Sequence, residues 1–370
     1  MDDALYMQKA LELAKKGKGY TSPNPLVGTV IVKNHRIIGE GYHQRYGEKH
    51  AEIMAIDNAS ESVAGATLYC NLEPCLNSIP NKKTPPCSER IISEKIKRVV
   101  ISTKDPNPYV NGRGIDLLRQ HHVDVDIGIL QEEAIKLNEK YFFYIKNNRP
   151  FIHLKIAQSL DGRIATINGN SKWITNQNAI RKVHQWRSEY DAVLVGINTV
   201  LKDNPSLTVR LVEGRNPFRI LLDDQLQVPL DSHLVTDQEK HKTIIFTLKS
   251  KNDPKVEKLV TQGIKIFHLA PDQQKFTSLP KVLDILSNER ITSILVEGGG
   301  EIFTSFIKQR LFDKISFFIA PMMIGDGIQS IGDLGIETLG DAIKLKNVNI
   351  EILDQQAIIE GYRDFQSIMD

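Results

Sequence analysis

A short polar stretch ending in proline, Lys146-Asn147-Asn148-Arg149-Pro150, separates two segments of different periodicity. Gln131–Ile145 before it reads as a helix. Phe151-Ile152-His153-Leu154-Lys155-Ile156-Ala157 after it reads as a strand. Proline beside small polar residues stops regular structure, so no single element runs through this point. The chain has 370 residues, long for one domain and comfortable for two. The boundary therefore divides it into residues 1–146 and 147–370.

Each half alternates strands with helices. The first opens with an amphipathic helix carrying Leu5, Ala10, Leu11 and Ala14 near helical spacing. A hairpin follows, Val27–Val32, a Lys33-Asn34-His35 turn and Arg36–Glu40. Helix His50–Ala59, strand Thr67–Leu72, helix Cys87–Lys95 and strand Arg98–Ser102 complete a three-layer α/β domain. In the second half, strands are expected at Ala192–Gly196, Arg219–Asp223, Thr243–Leu248, Lys265–Leu269, Ser293–Glu297 and Lys314–Ala320. With helices between most of them, they make a second α/β sheet with its own core.

Composition narrows the function. With 41% hydrophobic and 25% charged residues, each half has the apolar mass for a core, which excludes a disordered chain. The net charge is +2, and it is spread evenly: 20 basic against 18 acidic residues in 1–146, and 27 against 27 beyond. Duplex binding needs a concentrated cationic stripe, so a small-molecule substrate and no nucleic acid are expected. No stretch approaches the roughly 18 apolar residues of a membrane span. Met1-Asp2-Asp3-Ala4 is acidic where a leader is basic. Three cysteines in such a chain make no disulfide framework, which points to the cytoplasm.

The chemistry concentrates in His50-Ala51-Glu52, Pro74-Cys75 and Pro85-Pro86-Cys87. One imidazole and two thiols are ligands that zinc takes, and three of them leave its fourth position open. Cys87, behind two prolines at a helix start, sits at the positive end of the helix dipole, which favours thiolate. His50 and Glu52 diverge by roughly 200° around a helix axis. They can serve one centre only at the helix's N-terminal end, with Glu52 on the water and not on the metal. His-x-Glu alone means little, and two cysteines are usually core residues; it is the combination, in the order helix–strand–helix, that favours zinc. Cys70 alternates with Leu68 and Leu72 and reads as core.

In the second half, Val296-Glu297-Gly298-Gly299-Gly300-Glu301 joins a strand to a helix through three glycines. Such a junction lets backbone amides approach a phosphate at a helix start. It is equally a tight connection, and its spacing is not the Rossmann pattern.

His-x-Glu with Pro-Cys resembles the cytidine-deaminase superfamily. Within it, the chain resembles the bifunctional riboflavin-biosynthesis deaminase/reductase family over nearly its whole length. Ser22-Pro23-Asn24-Pro25-Leu26-Val27-Gly28, Gly41-Tyr42-His43, Leu72-Glu73-Pro74-Cys75 and Asp105-Pro106-Asn107-Pro108 look like its deaminase half. Ser159-Leu160-Asp161-Gly162-Arg163, Ser171-Lys172-Trp173-Ile174-Thr175, Gly196-Ile197-Asn198-Thr199-Val200 and Asp203-Asn204-Pro205-Ser206-Leu207-Thr208-Val209-Arg210 look like its reductase half.

The resemblance implies a cytidine-deaminase-like domain followed by a dihydrofolate-reductase-like α/β domain. It implies Zn²⁺ on His50, Cys75 and Cys87, with Glu52 as proton carrier. Asn24, His43, Lys83, Asp105 and Asn107 would hold a pyrimidine ribosylamine phosphate. Ala157, Trp173, Thr199, Asp203 and Gly299, Gly300, Glu301, Ile302, Phe303, Thr304 and Ser305 would line NADPH. Ser171, Arg187, Leu207, Arg210 and Glu297 would meet the substrate, with Lys155 and Asp161 as further polar candidates. A homo-oligomer is expected.

One departure stands out. Eleven residues separate Cys75 from Cys87, where the family's loop is shorter and carries a His and a Gly. Loop closure costs rise only logarithmically with length, so the metal set tolerates the insertion better than the substrate contacts do. Two other readings follow: a deaminase of guanine or tRNA adenosine fused to an unrelated domain, or a reductase whose deaminase half is inactive.

Overall fold

The computed structural model describes residues 3–76, 86–272 and 276–369. The chain divides into two compact units, Met1–Asn148 with Ile368–Asp370, and Arg149–Ser367. No helix among the described residues is long and apolar enough to cross a membrane.

The first unit runs α1 (Asp3–Lys15), β1 (Gly28–Lys33), β2 (Arg36–Tyr42), α2 (Ala51–Asp57), β3 (Thr67–Cys70), α3 (Cys87–Ser93), β4 (Arg98–Ile101), α4 (Arg113–Gln120), β5 (Asp124–Ile127), α5 (Gln131–Leu137) and α6 (Glu139–Asn147). Its sheet has the order β2-β1-β3-β4-β5. β1 pairs antiparallel with both neighbours, and β3, β4 and β5 are parallel. Alternation along β1 sorts the side chains into two faces. Val30 and Val32 join Tyr69, Val100 and the α1 residues Met7, Ala10 and Leu13 in one cluster. The opposite face receives α2. Two glycines let the helices come this close. A Cβ on Gly28 would stand 2.0 Å from the Ala10 carbonyl oxygen, and one on Gly41 only 2.4 Å from that of Ala51.

Three expectations change here. The apolar stripe of α1 runs through Met7 and Leu13, while Leu5 is 63% exposed. The segment expected as one helix, Gln131–Ile145, is two, α5 and α6, broken at Asn138. Asn138 uses the break to bridge the backbone of Leu26, accepting from its N–H at 2.7 Å and donating to its carbonyl at 2.9 Å. α4 and β5 also add to the expected elements; β5 (Asp-Val-Asp-Ile) is an edge strand, largely exposed, so it carries little apolar signal. Cys70 is fully buried, as its alternation implied.

The second unit contains β6 (Phe151–Ser159), β7 (Arg163–Thr166), α7 (Gln177–Glu189), β8 (Ala192–Gly196), α8 (Ile197–Asp203), β9 (Phe218–Leu222), α9 (His233–Thr236), β10 (Thr243–Thr247), α10 (Pro254–Thr261), β11 (Lys265–His268), α11 (Leu279–Asn288), β12 (Ser293–Val296), α12 (Gly300–Lys308), β13 (Lys314–Ala320), β14 (Gly327–Gln329), β15 (Lys346–Leu353) and β16 (Gln356–Tyr362). Nine of these strands form one sheet, ordered β11-β10-β9-β8-β12-β6-β13-β16-β15. The first seven are parallel, and β16 and β15 close the edge antiparallel. β7 and β14 pair separately. The parallel strands are nearly continuous apolar runs because both faces are covered, and Ile152, Leu154, Leu194, Ile220, Phe246 and Ile294 share one core. β6, β8 and β12 all end at the same side of the sheet, where α/β proteins bind ligands.

Replacing Gly41 by alanine drives a methyl into the α2 backbone. The expected result is a loss of about 1–3 kcal/mol, as for overpacked cores. Because α2 carries His50 and Glu52, metal per chain should fall below one. Calorimetric unfolding and metal analysis read the two effects. Wild-type values for both would show that the close approach is not required.

Candidate functional site

In the first unit, the three candidate ligands come from the starts of two helices and the end of a strand segment. His50 caps α2 with extended backbone (φ −74°, ψ 161°). Cys87 is the first residue of α3, behind Pro86. Cys75 follows β3 by a few residues. His50 Nδ1 stands 3.3 Å from each sulfur, and the sulfurs stand 3.3 Å from each other. Both cysteines are buried and unpaired by disulfide. Among the described residues this is the one group of three or more side chains that could hold a metal. Soft and borderline donors at that mutual distance fit an ion bonded at about 2.0–2.3 Å, which is zinc's range.

Glu52, two residues into α2's turn, is only 3% exposed. Its Oε2 is buried with no hydrogen-bond partner among the described residues. Burial, reinforced by the Cys75 sulfur, pushes its carboxyl above the ordinary range. A carboxyl raised in this way holds a proton more readily than a free one, which suits a proton carrier.

Asn24 and His43 meet beside this centre. The Asn24 amide lies 3.1 Å from His43 Nε2, and His43 Nδ1 lies 3.1 Å from the Lys49 carbonyl. An amide donor on Nε2 and a carbonyl on Nδ1 select the neutral ring with its proton on Nδ1. Burial acts the same way, holding the His43 pKa below its usual value. The His43 and His50 rings pack edge to face at 5.3 Å.

Asp105 and Asn107 share one loop and are bonded to each other. Asp105 is buried, and its Oδ1 accepts from the Asn107 N–H and the Tyr141 hydroxyl, each at 2.9 Å. Burial pushes its pKa up to about 7. Lys83 lies outside the described residues.

The residues that hold the Asp105 loop in place carried no clear signal in the sequence. Glu73 accepts backbone N–H groups of Asp105 (3.2 Å), Gly112 (2.9 Å), Gly114 (2.9 Å) and Ile115 (3.3 Å). One carboxylate thus fastens the Asp105 loop and the start of α4 to the Pro74-Cys75 segment. Asn71 accepts from the Gly28 N–H at 2.8 Å and donates to the Leu26 carbonyl. A buried acid next to Pro-Cys was the available signal for Glu73. Asn71, Asn138 and Tyr141 carried none.

In the second unit, a cavity of about 1030 Å³ opens where β6, β8 and β12 end. Ala157, Thr199, Asp203 and all of Gly299, Gly300, Glu301, Ile302, Phe303, Thr304 and Ser305 line it, with Ser171, Glu297 and Lys155. That volume is at the upper end for a ligand pocket. Gly299 caps α12, and a Cβ there would meet nothing within 4 Å. Gly300 has no such room, since its Cβ would stand 2.5 Å from the Gln329 oxygen. An open helix start of nine residues, lining a large cavity, suits the phosphates of a dinucleotide.

Arg187, Leu207, Arg210 and Trp173 are not among the lining residues. Trp173 is 71% exposed. Arg187 lies behind Glu297 and grips it with two bonds, Nε to Oε1 at 2.6 Å and Nη2 to Oε2 at 2.8 Å. Its third arm donates to the Thr208 carbonyl at 3.2 Å. Burial opposes ionisation of Glu297, yet Arg187 outweighs it and holds the carboxyl below its ordinary range. Burial lowers the Lys155 pKa as well, which in a lysine favours the neutral form. The Arg210 N–H donates to His184 Nδ1 at 3.0 Å, and Leu207 is buried. Asp161, a candidate polar group, is occupied by the loop that faces it, accepting from the Ile324 and Gly325 N–H groups.

Comparison with known proteins matches both halves. Residues 1–103 fit the model of the cytidine and deoxycytidylate deaminase zinc-binding region, and residues 150–359 fit the RibD C-terminal domain. The second match removes the reading in which the C-terminal half is an unrelated domain. The riboflavin biosynthesis protein RibD of Aquifex aeolicus is 46% identical over 358 residues, covering 96% of this chain and 97% of that protein. A solved structure from Thermotoga maritima, described as a diaminohydroxyphosphoribosylaminopyrimidine deaminase/5-amino-6-(5-phosphoribosylamino)uracil reductase, is 40% identical with a TM-score of 0.85. It covers 97% of this chain and 98% of that one. Acinetobacter baumannii RibD has the same coverage, a TM-score of 0.87 and 33% identity. Alike along nearly its whole length in sequence and fold, the chain belongs to the RibD family of riboflavin biosynthesis, a zinc-dependent deaminase and an NADPH-dependent reductase in one polypeptide.

Proposed function

We propose that residues 1–146 carry the deaminase and residues 147–370 the reductase, acting in turn on one intermediate. The first substrate is 2,5-diamino-6-ribosylaminopyrimidinone 5′-phosphate, which loses an amino group by hydrolysis. The second step reduces the ribosyl group of the product to an open ribityl chain. The observation that carries this reading is the mutual 3.3 Å spacing of His50 Nδ1, Cys75 Sγ and Cys87 Sγ, with the unpartnered Glu52 Oε2 in the same helix turn.

When bound, zinc supplies Lewis-acid activation of water and NADPH supplies a hydride. The chain's own residues do the rest. His50, Cys75 and Cys87 hold the metal. Glu52 Oε2 takes one proton of the attacking water and passes it to the ring nitrogen, then takes the second from the hydroxyl so added and passes it to the amine, which leaves as ammonia. Asn24, His43, Asp105 and Asn107 hold the substrate, joined by Lys83. In the reductase, Ala157, Thr199, Asp203 and Gly299 through Ser305, which line the cavity, hold the dinucleotide. Ser171 and Glu297, which line the cavity, serve the substrate, and Arg187 supports them by keeping Glu297 charged at the cavity wall. The near-balanced charge supports a small-molecule substrate and no nucleic-acid partner, and three cysteines without a disulfide support a reducing cytoplasm. A homo-oligomer fits the same reading.

A coupled assay with the pyrimidine intermediate, following ammonia and NADPH separately, tests both halves. Glu52→Gln should keep about one zinc per chain while ammonia release falls by roughly 10²–10⁴, the usual weight of a general acid–base group. Its NADPH consumption on the deaminated product should match wild type. Zinc retained with full ammonia release would remove Glu52 from the mechanism. Arg187→Leu leaves the Glu297 charge buried and alone, which should cost about 3–5 kcal/mol. A lower thermal midpoint together with lost reductase turnover is expected, with ammonia release unchanged; an undisturbed midpoint would mean that the ion pair is not holding the cavity wall.

A further inference from the structure

Tyr141 belongs to an aromatic run, Tyr141-Phe142-Phe143-Tyr144, in α6, and nothing in its spacing marks it as functional. In the folded unit its hydroxyl reaches Asp105 Oδ1 at 2.9 Å, on the same oxygen that accepts from the Asn107 N–H. The Asp105 backbone is fixed separately by Glu73. Both donors to the Asp105 carboxyl therefore fall on Oδ1, and Oδ2 accepts none from the described residues.

We propose that Tyr141 is a positioning residue of the deaminase: by anchoring Asp105 Oδ1 and Asn107 together, it reserves Asp105 Oδ2 for an N–H or O–H donor of the substrate. This rests on the reading of residues 1–146 given above. A carboxylate with one oxygen fixed by two donors cannot rotate. Its second oxygen is then presented in one direction, so that binding a donor there loses little side-chain freedom. Hydrogen bonds to a charged acceptor are also the stronger kind. A buried tyrosine hydroxyl needs some partner in any fold, so the test must separate positioning from simple burial.

Tyr141→Phe keeps the ring and removes the hydroxyl. Steady-state ammonia release should show KM for the pyrimidine ribosylamine phosphate raised about tenfold, with kcat within about twofold and full zinc. Asp105→Asn should raise KM similarly, and adding Tyr141→Phe to it should change KM by less than about twofold, because the two act through one oxygen. A KM within twofold of wild type in Tyr141→Phe overturns the proposal. So does an equal rise in the Asp105→Asn background. Should Tyr141→Phe lose its zinc, Tyr141→His, which retains a donor, takes its place. Full zinc with KM within about threefold then supports the role, and a KM as high as that of Asp105→Asn overturns it. Wild-type protein that releases no ammonia from this substrate overturns the functional reading and this proposal together. An active wild type with an indistinguishable Tyr141→Phe removes only the proposal.

Discussion

Two helices must begin at one point. The hydrolytic half of this chain depends on that constraint, since an imidazole, two thiols and a carboxylate can surround a single atom only if none of them is carried away around a helix axis. His50 and Glu52 diverge in the middle of a helix; at the first turn, with His50 as cap, both reach the same side. Cys87 meets them because α3 also starts there. The sheet beneath makes this possible. Gly41 lets the α2 backbone settle on β2 at a distance no side chain would allow, and Gly28 does the same for α1 on the other face. Packing at two glycines thus sets the position of a metal centre made by other residues.

The part of the site that local geometry controls could be read from the sequence. The helix start at residue 50, the prolines before Cys75 and Cys87, and the strand between them fix the ligand set, and its arrangement follows. The supporting residues could not be read this way. Glu73 acts on backbone amides 32 to 42 positions away, and Asn138 bridges to Leu26 across 112. No local pattern encodes such a contact. The break between α5 and α6 was missed for the same reason: the apolar period runs on through Asn138, and only the tertiary bond to Leu26 explains the interruption. Edge strands were missed for an opposite cause. β5 is too polar to stand out, and β15 keeps Val348, Ile350 and Ile352 more than half exposed, so burial never shaped a clear pattern.

In the reductase half, the strand order brings distant residues together in the same manner. Arg187 and Glu297 are 110 residues apart, and only the adjacency of β8 and β12 in the sheet lets α7 lean over the end of β12. Arg187, expected to meet the substrate, bonds Glu297 and Thr208 through its three nitrogens. That changes its chemistry. A guanidinium so occupied contributes a fixed positive charge beside a carboxylate, and it is the carboxylate that lines the cavity. Lys155 on the neighbouring strand then faces a pair that is nearly neutral as a whole, so burial dominates its own pKa and lowers it.

The two buried acids of the deaminase half show how environment divides labour between like groups. Glu52 and Asp105 are both almost wholly buried, and burial raises both. Their partners differ. Glu52 has an oxygen that no group among the described residues satisfies, so the cost of its charge varies with whatever occupies the centre, and it can exchange a proton as that occupant changes. Asp105 has two donors on one oxygen, which favour the carboxylate and fix its direction. An acid left unpaired beside a reacting centre is suited to moving protons, and an acid tied at one end is suited to holding a ligand. On the proposed reading these are the roles the two acids fill, and the difference comes from the hydrogen bonds, since the side chains are chemically alike.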